Sequence, residues 1–296
     1  MTPASQHLDA AGVANAAPAA FTITQAQLDA IALVPHFAGG AYAALPIAET
    51  LTFYKKRYVD QLPKFRAVDA DTVIADIGTG YGWLAMAFAA YSPAQVVAIE
   101  MDAERLSAGR QIAEILGLAE RITWVPQGLG AITLADRSVD VAYCIEVLEH
   151  VRRAPATVAD LERLPRDLLI VTTPNLWFPV IAHDTRLPFC HWLPMPLRRV
   201  YAKAFGREKA ENDNLFWSAP GLERHLREWT PVSGFLHYKT LADYIATYPF
   251  HLPYVGGGYQ TRVGAAKLAY YKLAARLGPA SRYVMPNLAM VWRRKY

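Results

Sequence analysis

The chain has 296 residues, of which 53% are hydrophobic and 19% are charged, and its formal net charge is +4. This composition is typical of a globular protein and argues against a disordered or fibrous chain. The two cysteines, Cys144 and Cys190, form no Cys-x-x-Cys pair, which argues against a disulfide framework or a cysteine zinc site. The sequence has neither an apolar run of membrane-spanning length nor a secretion signal, so we expect a cytoplasmic protein.

Basic residues are concentrated in the last part of the chain. No acid follows Asp243, whereas Lys and Arg continue to occur, at Arg262, Lys267, Lys272, Arg276, Arg282, Arg293, Arg294 and Lys295. This asymmetry favours an anionic substrate, a membrane surface or nucleic acid as a partner, and an ordinary solvated surface is the alternative. The sequence does not indicate an oligomeric state.

Two helices are predicted ahead of the first strand. Residues 1–20 are rich in alanine without an apolar period, so we expect a disordered tail there. Thr24 and Gln27 have the spacing of a capping box and predict a short helix, and a second helix is predicted over residues 47–61. Together, residues 21–66 are predicted to form a helical lid over the active edge of a sheet.

Short apolar runs alternate with helical segments from residue 72 onward. Strands are predicted at 73–77, 96–99, 122–125, 139–144 and 168–172, and helices at 83–91 and 103–116, the latter ended by Gly117. This alternation predicts an α/β, Rossmann-like fold with a seven-stranded, mostly parallel sheet and helices on both faces, spanning residues 67–296.

Two insertions are predicted within this fold, after strands five and six, at about 176–220 and 240–285. The first is an irregular loop rich in Pro, His and aromatic residues, and long loops of this kind are usually functional. A helix at 221–229 and strands at 234–238 and 287–293 are predicted around the second insertion. That insertion contains a run of three glycines at 256–258 and a predicted helix at 265–277.

The loop after the first strand reads Asp76-Ile-Gly-Thr-Gly-Tyr-Gly82. Glycines in such a turn allow a ligand to approach the backbone closely. The Gly-x-Gly-x-x-Gly pattern of nicotinamide and flavin sites would require glycine at position 83, where the chain has Trp83. Glu100, at the end of the second strand, is placed to accept hydrogen bonds from the hydroxyls of a ribose, which indicates a bound adenosine.

The loop and Glu100 closely resemble motif I and the following acidic residue of class I S-adenosylmethionine-dependent methyltransferases, over about residues 70–175. The resemblance implies S-adenosylmethionine as the cofactor, with the glycines beside its methionine and ribose parts and Asp76 near its methionine end. Many relatives have an acid after the third strand for the adenine amine. In this chain Gln127 or the backbone of Leu129 is the candidate to replace that acid. The alternative is that the segment after the third strand is only a turn. The predicted cofactor residues are Asp76, Gly78, Thr79, Gly80, Tyr81, Gly82, Glu100, Met101, Gln127, Gly128 and Leu129.

The segment Ile145-Glu-Val-Leu-Glu-His-Val151 follows the fourth strand, and a helix beginning there would place Glu146, Glu149 and His150 on one face. It resembles the Glu-x-x-Glu-His motif of ubiquinone-biosynthesis enzymes and of small-RNA 2′-O-methyltransferases. In the latter, the resemblance implies that the two glutamates and the histidine bind a divalent ion with a further histidine. His183 or His191 is the candidate for that further ligand, and Mg²⁺, Mn²⁺ or Zn²⁺ would suit the site.

A site without metal is the alternative, with His150 or His183 as the general base. We therefore expect a methyltransferase that methylates a hydroxyl of a small molecule or glycan. Methylation of an RNA ribose and a cofactor-binding protein without turnover are the alternative functions. Thr173-Pro-Asn175, after the fifth strand, also resembles the family, in which it begins the substrate side of the site.

Overall fold

A computed structural model of the chain describes residues 21–40, 46–152, 154–181, 185–207, 215–233, 235–247 and 264–296. The predicted tail at 1–20, His183 and the glycine run at 256–258 lie outside these residues.

The sheet has seven strands in the order β3-β2-β1-β4-β5-β7-β6. The first five strands are parallel, whereas β7 is antiparallel to both β5 and β6, which confirms the predicted, mostly parallel Rossmann-like sheet. The strand order reverses between β1 and β4, and ligands of open α/β sheets bind at the carboxyl ends of strands beside such a reversal. The strands are β1 Val73–Ile77, β2 Gln95–Ile99, β3 Ile122–Val125, β4 Val139–Ile145, β5 Pro165–Thr172, β6 Trp229–Pro231 and β7 Met290–Arg294.

Helices cover both faces of the sheet. They are α1 Gln25–Ile31, α2 Ile47–Tyr54, α3 Trp83–Tyr91, α4 Ala103–Ile115, α5 Pro155–Arg163, α6 Met195–Ala204, α7 Ala219–Glu223, α8 Leu241–Thr247 and α9 Ala265–Ala275. Successive strand residues point to opposite faces, so alternate residues of β1 enter different cores. Ile74 packs with α1 to α4 on one face, and Ala75 and Ile77 pack with α5 and α7 on the other.

Local sequence signals place several helix ends correctly. The side chain of Thr24 accepts from the backbone N–H of Gln27, and the side chain of Gln27 accepts from the N–H of Thr24, which forms the predicted capping box. Gly117, with φ of 72°, follows the C-cap of α4. The second predicted helix is α2, which continues as a π-helical turn over Lys55–Val59.

Three predictions in the C-terminal half are wrong. Residues 235–238 form a tight turn in which Phe235 and Tyr238 pair with each other, and the strand lies earlier, at Trp229–Pro231. The helix predicted at 221–229 ends at Glu223, because Trp229 is buried in the sheet beside β7. The irregular loop contains α6, in which Pro196 occupies the first helical turn, where proline is tolerated.

Candidate cofactor and active site

The glycine loop joins the end of β1 to α3 and is tied to the neighbouring strand. The backbone N–H groups of Gly78 and Thr79 donate to the carbonyl of Ile99 at 2.8 and 3.0 Å. Gly78 has φ of 72°, and a Cβ there would overlap the side chain of Val147, so only glycine fits. At Gly80 the atom nearest to an added Cβ is 3.7 Å away, so a ligand can approach the backbone there.

Glu100 connects the end of β2 to this loop. Its carboxylate accepts from the N–H of Gly80 at 2.9 Å and from the N–H of Asp102 at 3.0 Å, and the residue is buried. An ionised carboxylate has about four lone-pair positions, so each oxygen can accept a further bond from a hydroxyl group. The predicted contact between Glu100 and a ribose is therefore compatible with the structure. The structure also gives Glu100 a second role, because its hydrogen bond to Gly80 positions the loop.

Asp76 lies beneath the loop and is buried. It accepts a hydrogen bond from the hydroxyl of Thr79. Burial, with a smaller contribution from the charge of Glu100, raises the pKa of Asp76 from 3.8 to about 7 against the opposing effect of the Thr79 hydrogen bond. A buried carboxyl group in this state favours a cationic ligand group beside it, because the cation stabilises the ionised form.

The turn after β3 lies beside Met101, whose side chain is 76% exposed. A Cβ added at Gly128 would lie 3.0 Å from the Cβ of Met101. The amide of Gln127 accepts from the N–H of Thr133 at 2.9 Å and donates to its hydroxyl at 2.8 Å. Gln127 thus closes the turn through its side chain, and its contact with adenine, like that of Leu129, stays a prediction.

The N-terminal segment contacts the glycine loop through Tyr81. The hydroxyl of Tyr81 lies 3.0 Å from Nδ1 of His36, and the ring of Phe37 packs edge-on against the Tyr81 ring with centroids 5.3 Å apart. Gln27 attaches α1 to α4 by donating to the carbonyl of Ile115 at 2.9 Å. His36 was not predicted as a site residue, because an isolated histidine after a proline belongs to no motif. The lid itself stays a prediction.

The helix predicted over 145–151 is wrong. Glu146 has φ of 54° and its N–H donates to the carbonyl of Thr172 at 2.8 Å, so the chain turns at the end of β4. Only a 3-10 turn follows, over Leu148–His150, and α5 begins at Pro155. Glu149 is consequently buried and His150 is exposed, so the three residues do not share one helical face.

Contacts with the end of the first insertion explain this conformation. The N–H of Leu215 donates to the carbonyl of Glu149 at 2.8 Å, and the indole N–H of Trp217 donates to the carbonyl of Leu148 at 3.3 Å. Both partners are more than sixty positions away in sequence. A reading of the local pattern therefore could not have predicted them.

Glu146 and Glu149 form a pair of carboxyl groups beside the glycine loop. Their side chains share a hydrogen bond, and Glu149 also accepts from the hydroxyl of Thr173 at 2.9 Å. Burial raises the pKa of Glu149, and the adjacent Glu146 raises it further. Because two close carboxyl groups cannot both ionise easily, the pair holds one proton near neutral pH.

Within the part of the chain that the structure describes, no group of three or more His, Cys, Asp or Glu side chains is placed to hold a metal ion. His150 is exposed, and Nε2 of His191 lies 3.0 Å from the carbonyl of Leu176. The ring of His191 packs edge-on against Phe216. Since His183 lies outside the described residues, the metal site stays a prediction.

Asn175 joins the end of β5 to the second insertion. Its side chain donates to the carbonyls of Met285 at 2.8 Å and Arg282 at 3.2 Å, and accepts from the N–H of Trp177 at 3.0 Å. Asn175 is fully buried. It therefore holds together the two insertions that follow the sheet, which is a structural role.

Residues 74–167 match the family model of a methyltransferase domain. The methyltransferase phqN of Penicillium fellutanum is 33% identical over 73 residues, which cover 25% of this chain and 22% of that protein. The ubiquinone/menaquinone biosynthesis C-methyltransferase UbiE of Dinoroseobacter shibae is 31% identical over 108 residues, which cover 36% of this chain and 43% of that protein. The chain thus spans less than half the length of these curated relatives.

A solved structure with a similar fold is that of geranyl diphosphate C-methyltransferase from Streptomyces coelicolor A3(2). It is 12% identical, with a TM-score of 0.45, and the alignment covers 79% of this chain and 76% of that one.

Proposed function

We propose that this chain, whose residues 74–167 match the model of a methyltransferase domain, is a class I S-adenosylmethionine-dependent methyltransferase that transfers a methyl group to a hydroxyl of a small molecule or glycan. The observation that carries the proposal is the glycine loop after β1, with Glu100 accepting from the N–H of Gly80 at 2.9 Å. Loop and carboxylate meet at the carboxyl ends of β1 and β2, beside the reversal of strand order where such sheets bind ligands.

The residues at this edge fit the parts of S-adenosylmethionine. Glu100 has lone pairs left for the ribose hydroxyls, and the open backbone at Gly80 allows the cofactor to lie close to the loop. Asp76 suits the cationic end of the methionine part, and the exposed side chain of Met101 suits one face of the adenine. When bound, the cofactor supplies a methyl group that is activated by its positively charged sulfur.

Methylation of a hydroxyl also requires a proton acceptor, and we assign that role to the pair of Glu146 and Glu149. The bound cofactor would supply the methyl group as its carbon–sulfur bond breaks, the hydroxyl oxygen would take up that methyl carbon, and the pair would accept the proton that the hydroxyl loses. Glu149 has the raised pKa and is the more buried, so it keeps the proton of the pair, and Glu146 is the proposed proton acceptor. The pair is close to the loop, because Val147 contacts Gly78.

The acceptor is proposed to bind on the side of the two insertions. Trp177 follows Asn175 in the first insertion, is 49% exposed, and packs against Tyr283 of the second with ring centroids 6.1 Å apart. Exposed aromatic rings provide an apolar surface on which a sugar or a ring can lie. Both insertions are attached to the end of β5 through Asn175.

The test is incubation of the purified chain with S-adenosylmethionine labelled with carbon-13 in its methyl group, together with cell extract and a panel of phenols and glycans. We expect labelled methyl ethers, which the carbon chemical shift distinguishes from methyl groups on nitrogen or carbon. Glu100→Ala should abolish the label. Methyl groups on carbon or nitrogen would refute the proposed acceptor, and cofactor binding without any transfer would indicate a protein without turnover.

The acid pair is tested separately with Glu146→Gln. Loss of a general base typically lowers turnover by about 10²-fold or more, and we expect such a loss with unchanged affinity for S-adenosylhomocysteine. The pair could act as a proton acceptor alone or could also hold a metal ion. Measuring turnover in excess chelator distinguishes these two chemistries. Unchanged turnover supports proton transfer alone, whereas suppression restored by Mg²⁺, Mn²⁺ or Zn²⁺ supports a metal held by the two glutamates.

A further inference from the structure

Helix α6 in the first insertion exposes its apolar side. Leu197 and Val200 are 56% and 67% exposed, and their three-residue spacing puts them on one face of the helix. The buried residues of α6, Arg198 and Ala202, lie on the opposite face. A surface helix normally turns its apolar stripe inward, so this arrangement indicates that α6 contacts something else.

Exposed aromatic residues flank this helix. Phe189 and Trp192 precede it, are 50% and 49% exposed, and have ring centroids 5.0 Å apart. The indole N–H of Trp192 donates to the carbonyl of Leu176 at 2.6 Å, which holds the ring in its exposed position. We define the α6 surface as the exposed apolar side chains of this segment, which are Phe189, Trp192, Leu193, Leu197, Val200 and Phe205.

The charged residues within the segment 185–207 are all basic, and acids adjoin this segment in the sequence at both ends. Between positions 185 and 207 the sequence has five Arg and Lys and no Asp or Glu. Arg199, Lys203 and Arg207 are exposed. Arg199 and Lys203 lie beside the face that carries Leu197 and Val200, so positive charge borders an apolar strip.

We propose that the α6 surface docks on a bilayer that contains anionic lipids. Helices that lie in a membrane interface combine aromatic and aliphatic side chains, which enter the boundary between headgroups and acyl chains, with Lys and Arg that attract anionic headgroups. In the described part of the chain no helix has the length and apolar character to cross a membrane, so the contact is peripheral. This inference does not depend on the methyl acceptor.

Two other occupants fit the observations less well. A second copy of the chain would bring the same positive charges face to face across a twofold axis, which costs binding energy. Nucleic acid would account for the cations, but it offers no apolar surface to cover Leu197 and Val200. An anionic bilayer complements both the charge and the apolar strip.

The second insertion has a similar composition. In and after α9, Leu273 and Leu277 are 62% and 50% exposed, and the exposed Lys272 and Arg276 lie among them. No acid follows Asp243 in the sequence. The two insertions touch through the rings of Phe178 and Tyr270, whose centroids are 6.4 Å apart. Helix α9 therefore carries a second exposed patch that is both apolar and basic.

Vesicle flotation tests the proposal with the full chain. We expect binding to vesicles of phosphatidylcholine with phosphatidylglycerol, at least about tenfold weaker binding to phosphatidylcholine alone, and a loss of affinity at high salt. Leu197→Glu with Val200→Glu should weaken binding at least about tenfold. The control is Gln95→Glu with Gln111→Glu, which adds the same two negative charges at exposed positions outside the insertions.

The contribution of charge is tested by Arg199→Gln with Lys203→Gln, which should weaken binding to anionic vesicles about tenfold or more. Arg110→Gln with Arg224→Gln lowers the net charge equally and should leave binding within about twofold. Affinity for S-adenosylhomocysteine reports whether each variant is folded. The proposal fails if the native chain does not float with anionic vesicles, or if only the controls reduce flotation. Self-association that needs Leu197 and Val200 but no lipid would also overturn it.

Discussion

Replacing Asp76 with asparagine removes a buried carboxyl group whose pKa burial raises from 3.8 to about 7. Asparagine retains an oxygen that can accept the hydrogen bond from the Thr79 hydroxyl. The substitution therefore removes the charge while nearly preserving the size and the main polar contact of the side chain.

The sign of the effect follows from proton binding. Between pH 4 and pH 7 the folded chain holds a proton on Asp76 that the unfolded chain has released. The free energy of unfolding from this group therefore falls by about 1.4 kcal/mol for each pH unit. The stabilisation is fully present below pH 3.8 and is lost as the pH rises through 7. Over that range the loss approaches about 4 kcal/mol, and relaxation of the protein reduces this figure.

Urea unfolding of the native chain and of Asp76→Asn over a series of pH values measures this loss. We measure the free energy of unfolding of the variant minus that of the native chain. This difference should rise by about 2 to 4 kcal/mol between pH 4 and pH 8. The exposed Asp71, replaced by asparagine, controls for the removal of one carboxyl group. A difference that does not change with pH would refute the argument from burial. Affinity for S-adenosylmethionine should fall in the Asp76 variant.

The remaining predictions concern the loop and its neighbours. Gly78→Ala should lower the free energy of unfolding in urea by about 3 kcal/mol, because it adds backbone strain at positive φ and overlap with Val147. Gly80→Ala should lower it by only about 1 kcal/mol, but should weaken cofactor binding measured by calorimetry. Glu149→Ala should lower the free energy of unfolding by about 2 to 3 kcal/mol, and Glu149→Gln by less than about 1 kcal/mol, since glutamine resembles the protonated acid. Tyr81→Phe, which removes the hydrogen bond to His36, should raise the dissociation constant of S-adenosylhomocysteine about fivefold, and an unchanged constant would argue against a lid.

The sheet was predictable because its strands are buried on both faces. Strands β1 to β5 appear in the sequence as short apolar runs that are separated by helical segments. The glycine loop follows β1. Trp83 then argues against the dinucleotide pattern, and Glu100 indicates an adenosine ribose, both on local grounds alone. Local patterns thus account for the fold of the central part and for most of the proposed cofactor residues.

The active edge was less predictable, because contacts distant in sequence determine its conformation. Residues 145–151 have the polar spacing of a helical turn, but Leu148 and Glu149 are held by Trp217 and Leu215 of the first insertion. Likewise, His36 reaches Tyr81 across 45 positions, and no motif connects them. Neither arrangement follows from propensity or periodicity.

Helix α6 shows a third kind of error, in which residues that suggest an irregular loop also permit a helix. Pro194 and Pro196 suggested a break, yet proline is acceptable at the cap and in the first turn. Leu197 and Val200 of α6 face outward, so the helix has no wide apolar stripe on its buried side. A helix whose larger aliphatic side chains face solvent lacks the inward apolar stripe from which a surface helix is predicted.

Calorimetric titration of the purified chain with S-adenosylhomocysteine tests the central claim most directly. The account predicts one binding site per chain, at least about tenfold weaker binding by Glu100→Ala, and unchanged affinity in Gln111→Glu, a substitution at an exposed position of α4. Absence of binding by the native chain would contradict the account, as would equal affinity in the Glu100 variant.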